Sequence, residues 1–175
     1  MISRKNLFIA AIAFQTCAVL SLALPPILTL SSGKTISVLT EPVDPRDMFR
    51  GDYVTLSYAF SRVATSETFV YHTKVFVRLK QDADKQWQAV SVSKTKPAVA
   101  ADEILLFGEA EYTDERNKQV QVKYGIEQVF VPEGRGRDVS SADKLEVQLA
   151  VPGSGRAVIK QARHKGGTLY QWKWF

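Results

Sequence analysis

The 175-residue sequence has a single cysteine, Cys17, and two histidines, His72 and His164. One cysteine excludes a disulfide within the chain, and this one lies inside an apolar run, so cysteine usage says nothing about redox compartment. The residues before it, Phe14, Gln15 and Thr16, are not the aliphatic and small side chains that a lipoprotein processing site requires. With two histidines and no cysteine after the apolar run, the usual zinc patterns cannot be assembled. A lone histidine in or beside a strand is first a packing or surface residue.

Charge of one sign is scarce too. The 23 basic and 18 acidic residues give a net charge of +5, and removing Arg4 and Lys5, which precede the apolar run, leaves 21 against 18 with the signs interspersed. That pattern describes a solvated surface and excludes a nucleic-acid footprint. No serine sits in a Gly-x-Ser-x-Gly elbow, and Gly134-Arg135-Gly136 is too short for a nucleotide loop. The carboxylates are scattered. The sequence therefore offers no catalytic set, no metal site and no cofactor motif. It has no internal repeat, and its length suits one domain with a core of its own.

One long hydrophobic run is present. It opens at Leu7 and closes at Leu24 without a charged residue, and as a helix its eighteen residues measure roughly 27 Å, close to the thickness of a hydrocarbon core. Residues 1–30 are therefore expected to form a transmembrane signal-anchor in the lipid bilayer, with the helix breaking at Pro25-Pro26. Arg4, Lys5 and the amino terminus orient that end toward the cytoplasm and place the rest outside a bacterial inner membrane. Ser21 and Ala23 are small enough for a signal-peptidase cut after Ala23, but the run exceeds a usual signal core and prolines follow it, which favours a retained anchor.

After a short linker at 31–34, residues 35–175 read as one mainly β, antiparallel domain. Strands are expected at 35–40, 53–60, 74–80, 87–93, 103–112, 118–124, 145–151, 157–162 and 168–174. Asp82-Ala83-Asp84-Lys85, Asp114-Glu115-Arg116-Asn117 and Pro152-Gly153-Ser154-Gly155 are turns of three hairpins. Short helical turns are expected at 61–67 and 140–143, and the stretch 124–144 is the least strand-like.

Two segments concentrate unusual residues. In the first, Asp44, Pro45, Arg46, Arg50, Gly51 and Asp52 lead into a strand whose Tyr53, Thr55 and Ser57 share one face and whose Val54, Leu56 and Tyr58 share the other. In the second, Tyr124, Gly125 and Glu127 precede Pro132, Glu133 and Gly134, and Ile126, Val129, Phe130 and Val131 pack it down. Glu127 is expected to meet Arg46 or Arg50. For each segment a packed, charge-stitched loop is the plainer reading beside recognition.

Gly51-Asp52-Tyr53-Val54-Thr55-Leu56-Ser57-Tyr58, preceded by Val43-Asp44-Pro45-Arg46 and followed by the second segment, resembles the GDYXXLXY family of bacterial membrane-anchored proteins over nearly the whole chain. The resemblance implies an amino-terminal membrane segment, one exported domain and association with a polytopic membrane protein. It supplies no reaction. Arg50-Gly51-Asp52-Tyr53-Val54 also looks like the Gly-Asp-x-Val strand start of type I signal peptidases, but Val43 stands where their serine would be, so that likeness is one of fold.

The leading expectation is thus a non-enzymatic binding or accessory domain for a membrane partner. The alternatives are an envelope hydrolase using Asp44, Asp52, Glu127 or Glu133, and an anionic-ligand module built on Arg46, Arg50, Arg135 and Arg137.

Overall fold

A computed structural model describes residues 3–41, 53–130 and 144–172. Of Tyr53 it describes the backbone alone. One helix, α1 (Arg4–Ser32), leads directly into a mainly β domain.

Helix α1 is capped by Ser3, whose Oγ accepts from the Lys5 amide at 3.3 Å. It runs through Pro25 and Pro26 rather than breaking there, which corrects the expectation. Two missing N–H groups cost the helix hydrogen bonds, but past the prolines Thr29 and Leu30 are each only 7% exposed, because the helix end packs against β10 (Glu146–Val151) and β11 (Val158–His164). Tertiary burial holds the geometry that local propensity disfavours. Of the stretch 31–34, Ser31 and Ser32 extend the helix and Lys34 opens β1 (Lys34–Glu41).

Gly33 alone separates the two. Its amide donates to Thr29 O at 2.8 Å, and a side chain there would put Cβ 2.5 Å from Thr29 O and 3.0 Å from Val151 N. The helix end and the β10 backbone are therefore in contact through a residue that only glycine can be.

Twelve strands are described. The first sheet has the order β12-β11-β10-β1-β3, where β3 is Ser57–Tyr58 and β12 is Gly167–Gln171. The second has the order β4-β8-β7-β5-β6, comprising β4 (Arg62–Ala64), β5 (Lys74–Gln81), β6 (Trp87–Ser93), β7 (Glu103–Asp114) and β8 (Gln119–Lys123). A two-stranded ladder joins β2 (Tyr53–Thr55) to β9 (Gln128–Phe130). All pairings are antiparallel.

Alternation explains the layering. Val75, Val77 and Leu79 of β5 are buried, as are Ile36 and Val38 of β1, while Thr35, Ser37 and Leu39 lie on the outer face. The buried faces of both sheets contribute to one core, with Val147 and Leu149 on one side and Leu106, Val120 and Val122 on the other. The three expected hairpins form. Asp82 Oδ1 accepts from the Asp84 and Gln86 amides, both at 2.9 Å, and Asp114 Oδ1 does the same for Arg116 and Asn117. The Gln86 amide above all, with the Gln88 side chain and the Asp84 amide, holds the Asp82 carboxyl below its ordinary range.

Two further expectations are corrected. The strand expected over 53–60 is divided at Leu56 into β2 and β3, then closes in a 3₁₀ turn at Ala59–Ser61. The helical turn expected at 61–67 gives way to strand β4, because Val63 is buried and Arg62–Ala64 pairs with β8. The stretch after Tyr124 contributes a strand, β9, whose backbone is satisfied by β2. The turn expected at 140–143 lies outside the described residues.

Candidate functional site

The two segments singled out by sequence meet. Tyr53, Val54 and Thr55 pair with Phe130, Val129 and Gln128, and the Leu56 amide extends the ladder by donating to Glu127 O at 2.7 Å. Two residues on, Tyr58 and Ser57 pair with Thr40 and Glu41 at the end of β1. Beyond the 3₁₀ turn, β4 has crossed to the second sheet. The stretch 53–64 is thus the crossing between the two sheets, and the second segment is its clamp.

The period-2 pattern orients the side chains. Val54, Leu56 and Tyr58 are buried, and Thr55 and Ser57 are half-buried on the opposite face. Tyr58 is fully buried; its hydroxyl donates to Ile126 O at 2.7 Å and its ring stacks on Phe60 at 5.0 Å. Tyr124 mirrors it, donating to Phe60 O at 2.6 Å while its ring meets Phe60 edge-on at 5.6 Å. Each tyrosine thus satisfies a carbonyl of the other's segment, with Phe60 packed between the rings. Sequence reasoning missed Phe60, although its place two residues after Tyr58 on the same face was a usable signal.

Glu127 closes the turn. Its carboxylate accepts from the Tyr124 amide at 2.5 Å and the Gly125 amide at 2.9 Å, and Gly125 takes the left-handed φ of 82° that this tight turn needs. The structure gives Glu127 a backbone-capping role. The arginines expected to meet it, Arg46 and Arg50, lie outside the described residues, as do Asp44, Pro45, Gly51, Asp52, Pro132, Glu133, Gly134, Arg135 and Arg137.

Beside the clamp lies an open cleft of about 390 Å³, bordered by Thr55, Ser57, Glu111, Lys123 and Gln128. A larger one of about 570 Å³ lies elsewhere, along β1 and the β5–β6 turn.

Burial, and secondarily the negative charge of Glu127, raises the hydroxyl pKa of both Tyr58 and Tyr124 well above the ordinary tyrosine value. The folded state therefore holds these two protons more tightly than the unfolded chain does. Their contribution to stability is complete below the unfolded value near pH 10 and is lost as pH rises beyond it. In detergent-solubilised protein, the urea unfolding free energy should stay level to about pH 9.5 and then fall, each tyrosine adding a slope of about 1.4 kcal/mol per pH unit. Tyr124→Phe should show a shallower fall, and an identical slope in the two proteins would refute this assignment.

No curated protein and no solved structure matches the chain. A family model described as GDYXXLXY protein matches residues 15–161. That span includes most of α1, the sheet crossing that carries the motif, and the clamp at Tyr124 and Glu127; the chain belongs to the GDYXXLXY protein family.

Proposed function

We propose that this protein is a single-pass, membrane-anchored accessory domain that docks a polytopic membrane protein on the outer side of a bacterial inner membrane. The observation that carries the reading is a long, exposed apolar helix set directly on the domain at Gly33. An apolar helix of 29 residues, its span from Leu7 to Leu24 exposed throughout, is joined to the β domain through one tightly packed residue. The packed residues, Thr29, Leu30 and Gly33, follow the candidate cut after Ala23 and stay with the domain in either case, so the junction supports a fixed setting of the helix on the domain, while the length of the apolar run supports its retention. The length and apolar composition of the helix suit a bilayer. Arg4 and Lys5 favour a cytoplasmic amino terminus.

The described residues of the two segments support an accessory role. Glu127, a carboxylate that a hydrolase would need free, spends both oxygens on backbone amides, and Tyr58 of the first segment and Tyr124 of the second are buried in structural hydrogen bonds.

Two experiments test the reading. In a Cys17→Ser background with Ser66→Cys, an exposed position, a membrane-impermeant maleimide should label intact spheroplasts; labelling only after lysis would reverse the orientation. Crosslinked pull-down of the full chain from solubilised membranes should recover one polytopic protein, several-fold less with Asp52→Ala. Recovery of no specific membrane protein would defeat the proposal.

A further inference from the structure

Strand β1 is paired on one side only along most of its length. Lys34 through Leu39 match Val151 through Glu146 of β10 in unbroken register, while β3 reaches only Thr40 and Glu41 on the other side. The Thr40 amide donates to Leu145 O, toward β10. Backbone groups alternate along a strand, so those of Ile36 and Val38 also turn to β10, and those of Thr35, Ser37 and Leu39 turn the other way. Among the described residues no strand pairs with that edge. It opens into the cleft of about 570 Å³, whose far wall includes Gln81, Gln86 and Trp87.

Folded proteins guard such edges with prolines, charges, bulges or brevity. The other sheet edges have these devices. Strand β4 has three residues and β12 five, with a register shift between Ala162 and Arg163 in its ladder, and the β5–β6 ladder shifts between Arg78 and Leu79. Residues 35–40 of β1 contain no proline and no charge, their register is regular, and Leu39 is 44% exposed. Because β1 starts one residue after the helix, this edge lies within roughly 23 Å of the helix end, where an extramembrane segment of a partner in the same bilayer can reach it.

We propose that the open edge of β1 takes up an extended strand of the membrane partner, main chain to main chain, through Thr35, Ser37 and Leu39. This rests on the partner reading above and names the surface that would serve it. Proline at Ser37 removes an outward donor while leaving the bonds to β10 in place, since proline is tolerated where the strand N–H faces away from the ladder.

In the full-length protein in its own membranes, p-benzoylphenylalanine in place of Leu39 should photocrosslink to the polytopic protein recovered by pull-down. The adduct should map to an extramembrane segment, and Ser37→Pro should lower its yield at least fivefold. A thermal melt checks that this variant is folded, and Thr35→Pro is the second probe of the same edge. If neither proline variant folds, the chain itself uses these amides and the inference falls. It also falls if the adduct is lipid or a second copy of this chain, or if proline leaves the yield unchanged. Should any of these occur while pull-down still recovers the polytopic protein, the accessory role survives and only its docking surface is wrong. Absence of both adduct and partner would overturn the two together.

Discussion

Tyr58→Ala should cost the domain about 3–5 kcal/mol, a large part of the 5–15 kcal/mol by which proteins of ordinary stability stay folded. Three losses coincide there. The ring is fully buried and leaves a cavity, its stacking on Phe60 disappears, and Ile126 O loses its tyrosine donor in a place closed to water. Tyr58→Phe separates the last from the first two. Keeping the ring and deleting the hydroxyl should cost about 1–3 kcal/mol, the penalty of an unsatisfied buried carbonyl. Urea titration in detergent, followed by tryptophan fluorescence, measures both. A phenylalanine variant as stable as wild type would mean that another donor reaches Ile126 O, and the clamp would then rest on packing alone.

Gly33→Val should have the second large effect, with a different signature. Its Cβ would meet Thr29 O at 2.5 Å, Val151 N at 3.0 Å and Ala150 C at 3.2 Å. These are backbone atoms, which cannot swing aside as a side-chain tip can. Overpacking of this kind costs about 1–3 kcal/mol, and the less costly relief is for the helix end to leave β10, exposing Leu30 and Thr29. The core between the sheets is untouched, so the melting transition should move only modestly. The joint should loosen instead. Spin labels at Leu28→Cys and Gly153→Cys in a Cys17→Ser background should give a narrow distance distribution in the parent and a broad one in the valine variant. Equal widths would show that the packing at Gly33 does not fix the domain to the helix.

Much of the β architecture was legible in sequence where local pattern and final environment agree. Val75, Val77 and Leu79 alternate because one face of β5 meets the core, and Asp82 and Asp114 mark turns because their carboxylates bond nearby amides. Pattern failed where a distant contact decides. Alternation continues through Leu56, so nothing local announces that β2 and β3 pair with different strands. Strand β9 has three residues, and its partner lies more than seventy positions away. Prolines 25 and 26 read as a helix stop because the burial of Leu30 by β10 and β11 has no local sign. At the clamp, the buried face of Tyr58 was readable from its period. Its acceptor was not, since a backbone carbonyl such as Ile126 O has no side-chain signature.

The 29 residues of α1 amount to about 43 Å of helix, more than a hydrocarbon core of about 30 Å requires. In the proposed anchored state, with no slack at Gly33, the azimuth of the domain about the membrane normal follows the rotational setting of the helix. Successive residues of a helix are about 100° apart, so adding or removing one residue within the span would point the free edge of β1 in another compass direction while hardly changing its height. In that proposed state the length of the helix is an angular coordinate, and the spacing between Leu24 and Gly33 bears on the heading of the domain as much as on its distance from the bilayer.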